Sequence, residues 1–320
     1  MTKKLLTAAI MAALTLSATS VFAAAPTFSG DTQMLTQKDN GGSTYSDMRL
    51  RLNADVDLGE GLYAHGRIMG IDQSGYNLNS DNDNFDRAGT GARGANVNME
   101  QMYVGAKIGA TDVKIGRQPL FIGQGLTADV NGIEGISLGA NEANFNAFGF
   151  IGRSNQPVYP TDVTNTDPYG PRNTVGFNLG TKVDCVNLGI GYLNTKDTTE
   201  NKYWSFNADT KIASNVKLAA EYVKNNSANA NGFLVKATVG ELAKKGDFNY
   251  AVSYRNIENN AVDSDWTTNG AYANSKGFRL AANYKVTDNS TLYLYKDITE
   301  KQNDSTVKPN EMRAEFDINF

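Results

Sequence analysis

From residue 27 to the end, the chain alternates between apolar and polar positions. In 312–320, Met312, Ala314, Phe316, Ile318 and Phe320 interleave with Arg313, Glu315, Asp317 and Asn319. A period of two gives a strand one apolar and one charged face. The same pattern runs through 278–286, with Phe278, Leu280, Ala282, Tyr284 and Val286 against Arg279, Ala281, Asn283 and Lys285. It recurs in 216–222 and in 48–58, where Met48, Leu50, Leu52, Ala54, Val56 and Leu58 alternate with Arg49, Arg51, Asn53, Asp55 and Asp57. Sixteen strands are predicted, at 27–38, 45–58, 62–73, 97–108, 112–118, 132–139, 143–153, 173–181, 185–194, 202–212, 216–224, 232–239, 247–257, 276–286, 290–299 and 310–320. No segment shows a comparable helical period, although 239–245 could form one turn.

The connections alternate too. Short ones fall at 59–61, 109–111, 140–142, 182–184, 213–215, 240–246 and 287–289; mostly longer, polar ones fall at 39–44, 74–96, 119–131, 154–172, 195–201, 225–231, 258–275 and 300–309. This asymmetry predicts an all-β fold, a transmembrane antiparallel β-barrel with short periplasmic turns and longer external loops. An even strand number leaves both termini on the short-turn side. Aromatics near the strand ends, among them Tyr192, Trp204, Tyr222, Phe248, Tyr250, Phe278 and Tyr284, are the interfacial belt such a barrel needs. A soluble β-sandwich would instead bury Arg49, Arg51, Asp55, Lys217, Glu221, Arg279, Lys285 and Arg313 in a dry core, at several kcal/mol each when unpaired. A water-filled lumen removes that cost.

The N-terminus changes the picture of where the barrel goes. Lys3 and Lys4 precede an apolar run from Leu5 to Leu16, and a small, polar stretch ends in Val21-Phe22-Ala23. The run is shorter than the roughly 20 residues of a spanning helix. Residues 1–23 are therefore expected to be a cleaved signal peptide and 24–320 an outer-membrane barrel.

Composition mainly excludes. Thirty Lys and Arg against 34 Asp and Glu give a net charge of −4, so no nucleic-acid partner is expected. One His and one Cys exclude a His-rich metal site, a Cys cluster and an internal disulfide. The mean hydropathy of −0.41 excludes a helical membrane protein but not a barrel with a polar lumen. Gly89-Thr90-Gly91-Ala92-Arg93-Gly94 spells G-x-G-x-x-G, yet it sits in a polar loop without the strand and helix that a dinucleotide site requires. Asp81–Asp86 lacks the glycine and terminal glutamate of a calcium loop. His65, flanked on its face by Tyr63 and Arg67, has no neighbouring nucleophile. No enzymatic activity, cofactor or metal is expected.

Three stretches resemble the general, non-specific porins of Gram-negative outer membranes. They are MRLRLNADVDLGEGLYA at 48–64, EQMYVGAKIGATDVKIGRQ at 100–118, and the terminal alternating strand that ends in Phe320. The resemblance implies a 16-stranded, usually trimeric barrel in outer-membrane lipid. Phe320 would serve as the signal read by the barrel-assembly machinery. The third external loop, 119–131 here, would fold inward as the constriction, with basic residues on the facing wall and acids on the loop. By position, the basic wall comprises Arg49, Arg51, Arg67 and Arg117, and Asp129 is the loop's only acid. Lys107, Lys114, Arg279 and Arg313 complete the expected pore lining. The loop is shorter than the family's and lacks its acidic tip. Alternation puts Arg117 with Val113 and Ile115 on the lipid face, whereas the resemblance puts it in the pore; a bulge at Gly116 would reconcile the two, as would a position above the apolar band. Because an arginine facing mid-membrane lipid costs about 2–4 kcal/mol, the pore is the expected side.

The function expected on these grounds is passive diffusion of small hydrophilic solutes and ions. Two alternatives remain at this stage. One is a substrate-selective channel, for which the inward Tyr63, Tyr103 and Tyr203 are too scattered to form a ladder. The other is a structural or adhesive barrel plugged by its own loops.

Overall fold

The computed structural model describes residues 25–39, 44–74, 96–154, 172–196, 199–263, 266–267 and 273–320. The expected signal peptide, the G-x-G-x-x-G stretch and Asp81–Asp86 lie outside these residues. The strands are β1 (Thr27–Asp39), β2 (Thr44–Gly59), β3 (Leu62–Ser74), β4 (Asn96–Ile108), β5 (Thr111–Ile122), β6 (Ala128–Glu142), β7 (Phe145–Ser154), β8 (Arg172–Val183), β9 (Val186–Lys196), β10 (Glu200–Ala213), β11 (Val216–Asn225), β12 (Ala230–Gly240), β13 (Phe248–Ile257), β14 (Ser275–Thr287), β15 (Ser290–Lys301) and β16 (Glu311–Asn319). Each pairs antiparallel with its chain neighbours, and β1 with β16, into a closed barrel. Every predicted strand is present. Closure removes the free sheet edges that a row of this many strands would otherwise expose.

The two faces follow the parity of the sequence. Directly opposed residues such as Val252 and Leu280 share a face. Both belong to a band of exposed aliphatic side chains that includes Leu50, Ile68, Val104, Ile136, Leu138 and Val235. Exposure on this scale is explained by lipid, not water. Phe177, Tyr192 and Trp204 stack on that outer face, with ring centroids 5.5 and 4.8 Å apart along the series. Placing arginine at Leu280 is expected to lower the unfolding free energy by about 2–4 kcal/mol, measured by urea unfolding in lipid vesicles. The same change at Ala281, whose parity is inward, is expected to cost clearly less.

The barrel closes at a tight seam. Gly30 in β1 donates its backbone N–H to the Phe320 carbonyl at 2.8 Å and accepts from the Phe320 N–H at 3.0 Å. A Cβ at residue 30 would stand 2.7 Å from the Phe320 ring. The terminal ring therefore lies across a position that only glycine leaves open.

The largest departure from the predicted strands is at 119–131. Strand β5 runs to Ile122 and β6 starts at Ala128, so the connection shrinks to 123–127. The added strand residues belong to a hairpin that leaves the wall.

Candidate pore and its constriction

Pairing of β4 with β5 stops at Met102 and Arg117, while β5 and β6 stay paired as far as Ile122 and Ala128. The tip of the β5–β6 hairpin consequently turns into the lumen. Its inner surface is apolar, and Leu120, Ile122, Leu126 and Ala128 are fully buried against Leu193, Tyr203, Val223 and Ile257 from β9, β10, β11 and β13. Ile122 lies against Gly176 of β8 and Gly191 of β9; a Cβ at those glycines would meet it at 2.9 and 2.5 Å. Apolar residues in a connection have no lipid to face, and these leave water by packing on the far wall of the lumen.

A buried carboxylate takes most of the tip's hydrogen bonds. Glu221 of β11 is almost wholly buried. Its Oε2 accepts from the backbone N–H groups of Gln124 at 2.6 Å and Leu126 at 2.9 Å. Its Oε1 accepts from the N–H of Thr127 at 3.1 Å and the Thr127 hydroxyl at 2.7 Å. Burying a carboxylate is tolerable here because converging backbone donors replace its water shell. The turn leaves room for it through Gly123, which has φ +73° and whose Cβ would stand 2.0 Å from Glu221 Oε1. Two described residues of the β13–β14 connection, Trp266 and Thr267, bond to the hairpin. Trp266, itself buried, accepts the Asp129 N–H on its carbonyl at 2.7 Å, and the Thr267 hydroxyl donates to the Gly125 carbonyl at 2.5 Å. Arg172 on β8 pairs with Asp263 of that connection at 2.5 Å.

The rest of the wall, from β13 round through β16 and β1 to β4, is charged. Arg49 faces Asp31 at 3.8 Å. Arg51 and Arg67 share Glu100, at 2.6 and 3.6 Å. Arg279 makes two contacts to Asp297 at 2.8 Å, and Arg255 approaches the same carboxylate at 3.7 Å. Arg313 meets Glu315 at 2.8 Å. Arg279 also stacks on Tyr295, 3.6 Å from the ring centre to its guanidinium carbon. Each arginine of this wall thus has a carboxylate within reach, which cuts the positive field it would otherwise project.

The architecture now stands beside known proteins. Residues 195–301 match a family described as putative porin. No curated protein matches the chain in sequence. In structure, a mutant of the Rh. blastica porin aligns with a TM-score of 0.63 at 11% identity, over 92% of this chain and 100% of that one. Salmonella typhi OmpF, in complex with daunomycin, aligns with a TM-score of 0.62 at 13% identity, over 92% and 97%. Pseudomonas putida OprB, in a low-pH structure, gives 0.56 at 13% identity, over 92% of each chain. The fold is that of a porin.

Within this porin barrel the predicted residues fall in distinct places. Arg49, Arg51, Arg67, Arg279 and Arg313 are the paired wall arginines. Lys114 lies 5.3 Å above the Tyr103 ring and 3.6 Å from Asp112, and Lys107 lies 5.7 Å from the Tyr63 ring, lower in the lumen. Asp129 is exposed on the hairpin, opposite Phe121. Arg117 requires a correction. The register is continuous through Gly116, with no bulge there, and Arg117 pairs with Met102 and Glu134, both exposed on the outer face. Its Nε donates to the Glu100 carbonyl at 3.0 Å and its guanidinium covers Gly132. Strand β4 loses its β5 partner where the hairpin departs, and Arg117 supplies a donor to a carbonyl of that bared edge. Gln101 does the same in reverse, donating to the Asn131 carbonyl at 2.9 Å. Glu100 and Asp297 are wall acids absent from the expected pore lining; alternation with the outward Leu294 and Ile298 already points Asp297 inward, whereas Glu100 escapes that rule. A register shift between Arg67 and Ile68 sets Gln101 and Met99 opposite them and leaves Glu100 as the extra residue of a bulge, which hides its direction from simple alternation.

Proposed function

We propose that the protein is an outer-membrane porin that passes small hydrophilic solutes and ions by passive diffusion. The observation that carries this reading is the division of the lumen. The hairpin occupies the side of β8–β13, and the opposite side keeps a charged, partly exposed wall. Arg49, Arg51, Arg67, Lys107, Lys114, Arg279 and Arg313 would line the passage there, with Asp129 on the hairpin face. A hydrated bore whose charges are internally compensated ranks permeants mainly by size and only weakly by charge. In this reading residues 1–23 direct export, Phe320 is presented to the barrel-assembly machinery, and the barrel works as a homotrimer. No catalytic residue, cofactor or nucleic acid takes part.

The test is single-channel conductance of the purified protein in a planar bilayer under a KCl gradient. Large, ohmic, persistent openings are expected. Glu100→Gln leaves Arg51 and Arg67 without their shared carboxylate and removes one negative charge from the wall. Its reversal potential is expected to move toward the anion, with anion-over-cation permeability rising roughly two- to threefold. A second reading, a barrel plugged by its own segments, draws on the apolar packing of the hairpin beneath Trp266. A folded, inserted barrel that never opens would select it.

A further inference from the structure

Among the described residues, large apolar side chains that are exposed lie on the lipid-facing rows of the strands, with three exceptions. Val307 sits in the β15–β16 connection and Phe320 ends the chain. The third is Phe121, on the inserted hairpin, with 52% of its surface exposed. Its neighbours Leu120 and Ile122 point the other way and are fully buried against the far wall. Alternation along β5 therefore turns the Phe121 ring away from that wall, toward the open side of the lumen. The hairpin leaves this ring unburied while burying Leu120 and Ile122 on either side of it.

The ring is also held in place. A Cβ at Gly125 would stand 3.2 Å from Phe121 Cε2, so the ring lies over the turn, and Gly125 has φ +88°. Asp129 is the residue directly opposite Phe121 in the hairpin ladder. Such pairs stand side by side on one face, with Cβ atoms about 4.5–5.5 Å apart. The constriction thus presents an aromatic face next to a carboxylate, across from arginines that are each engaged by an acid.

We propose that Phe121, with Asp129 beside it, forms a transient binding platform in the constriction for permeants that carry an ammonium group next to an apolar ring. The ring face attracts the cation and the apolar part together, and the carboxylate adds a charge contact. The site discriminates by apolar surface and cationic character, which a compensated wall alone does not do. This rests on the reading of the barrel as an open pore.

The experiment uses the full mature protein in planar bilayers in KCl, with benzylammonium, methylammonium and benzoate as probes. Benzylammonium is expected to interrupt the current with longer dwell times than either of the other two. Phe121→Ala is expected to shorten those dwell times about two- to fivefold while KCl openings persist. Phe121→Leu keeps apolar volume on the hairpin without the π face, and is expected to fall between. Phe28→Ala, which removes an exposed ring from the outer face, is expected to change nothing. Equal dwell times for benzylammonium and methylammonium, or benzylammonium dwell times that neither Phe121 variant alters, would overturn the inference and leave the porin reading standing. A barrel that does not conduct KCl overturns both.

Discussion

Replacing Glu221 with alanine is expected to release the hairpin tip from the far wall, raising single-channel conductance and adding rapid current fluctuations. The carboxylate accepts four hydrogen bonds, three of them from backbone N–H groups of the turn. Stranding such donors costs about 1–3 kcal/mol each unless water enters to meet them, and water entry itself loosens the tip. The barrel wall is not expected to suffer, because β11 keeps its ladders with β10 and β12. Glu221→Gln should be intermediate: the amide retains one accepting oxygen, but its NH₂ group faces donors. Gly123→Ala should act in the same direction through the turn, since its Cβ would overlap the Glu221 carboxylate in a left-handed backbone conformation. Conductance and noise identical to the parent in Glu221→Ala would show that the apolar contacts of Leu120, Ile122 and Leu126 hold the tip without the carboxylate.

Gly30→Val is expected to block closure of the barrel. The added side chain would collide with the Phe320 ring and with the Arg51 carbonyl, 2.5 Å from the Cβ position. The seam between β1 and β16 has no slack to absorb this, because its ladder runs from Asp31–Asn319 to Asp39–Glu311 with no register shift. Overpacking at such a site costs about 1–3 kcal/mol, and more where backbone atoms are also struck. The measurable outcome is that unheated protein runs on gels as the unfolded species, where the parent is expected to run as a compact, detergent-resistant one. Phe320→Ala combined with Gly30→Val relieves the ring clash but not the backbone one, so it should recover only part of the folded fraction. Full recovery would place the whole cost in the ring contact.

The distribution of these effects reflects how the chain encodes its structure. The wall was legible because period-two alternation persists strand after strand, and lipid on one side and polar lumen on the other enforce it without reference to distant residues. Arg117 shows how local that rule is. Alternation alone puts it in the row of Ile115 and Met102, where the register keeps it; the expectation of a pore position came from the resemblance and from the cost of an arginine facing lipid. The hairpin was less legible. Pro119, Gly123, Gly125 and Thr127 interrupt the alternation, so 119–131 reads as a loop. The signal that could have revealed it is the presence of Leu120, Ile122, Leu126 and Val130 in a connection that has no lipid to face.

By itself, the sequence determined the strand count, the inner and outer faces, the turn asymmetry and the closing residue Phe320, since each depends on residues a few positions apart. The tertiary structure alone decided that Glu221 anchors a turn about a hundred residues earlier in the chain, that Glu100 and Asp297 compensate the wall arginines, and that Phe121 faces the bore. Those outcomes depend on which strands closure brings across the lumen, and on the desolvation of charges there. Neither leaves a mark in local periodicity.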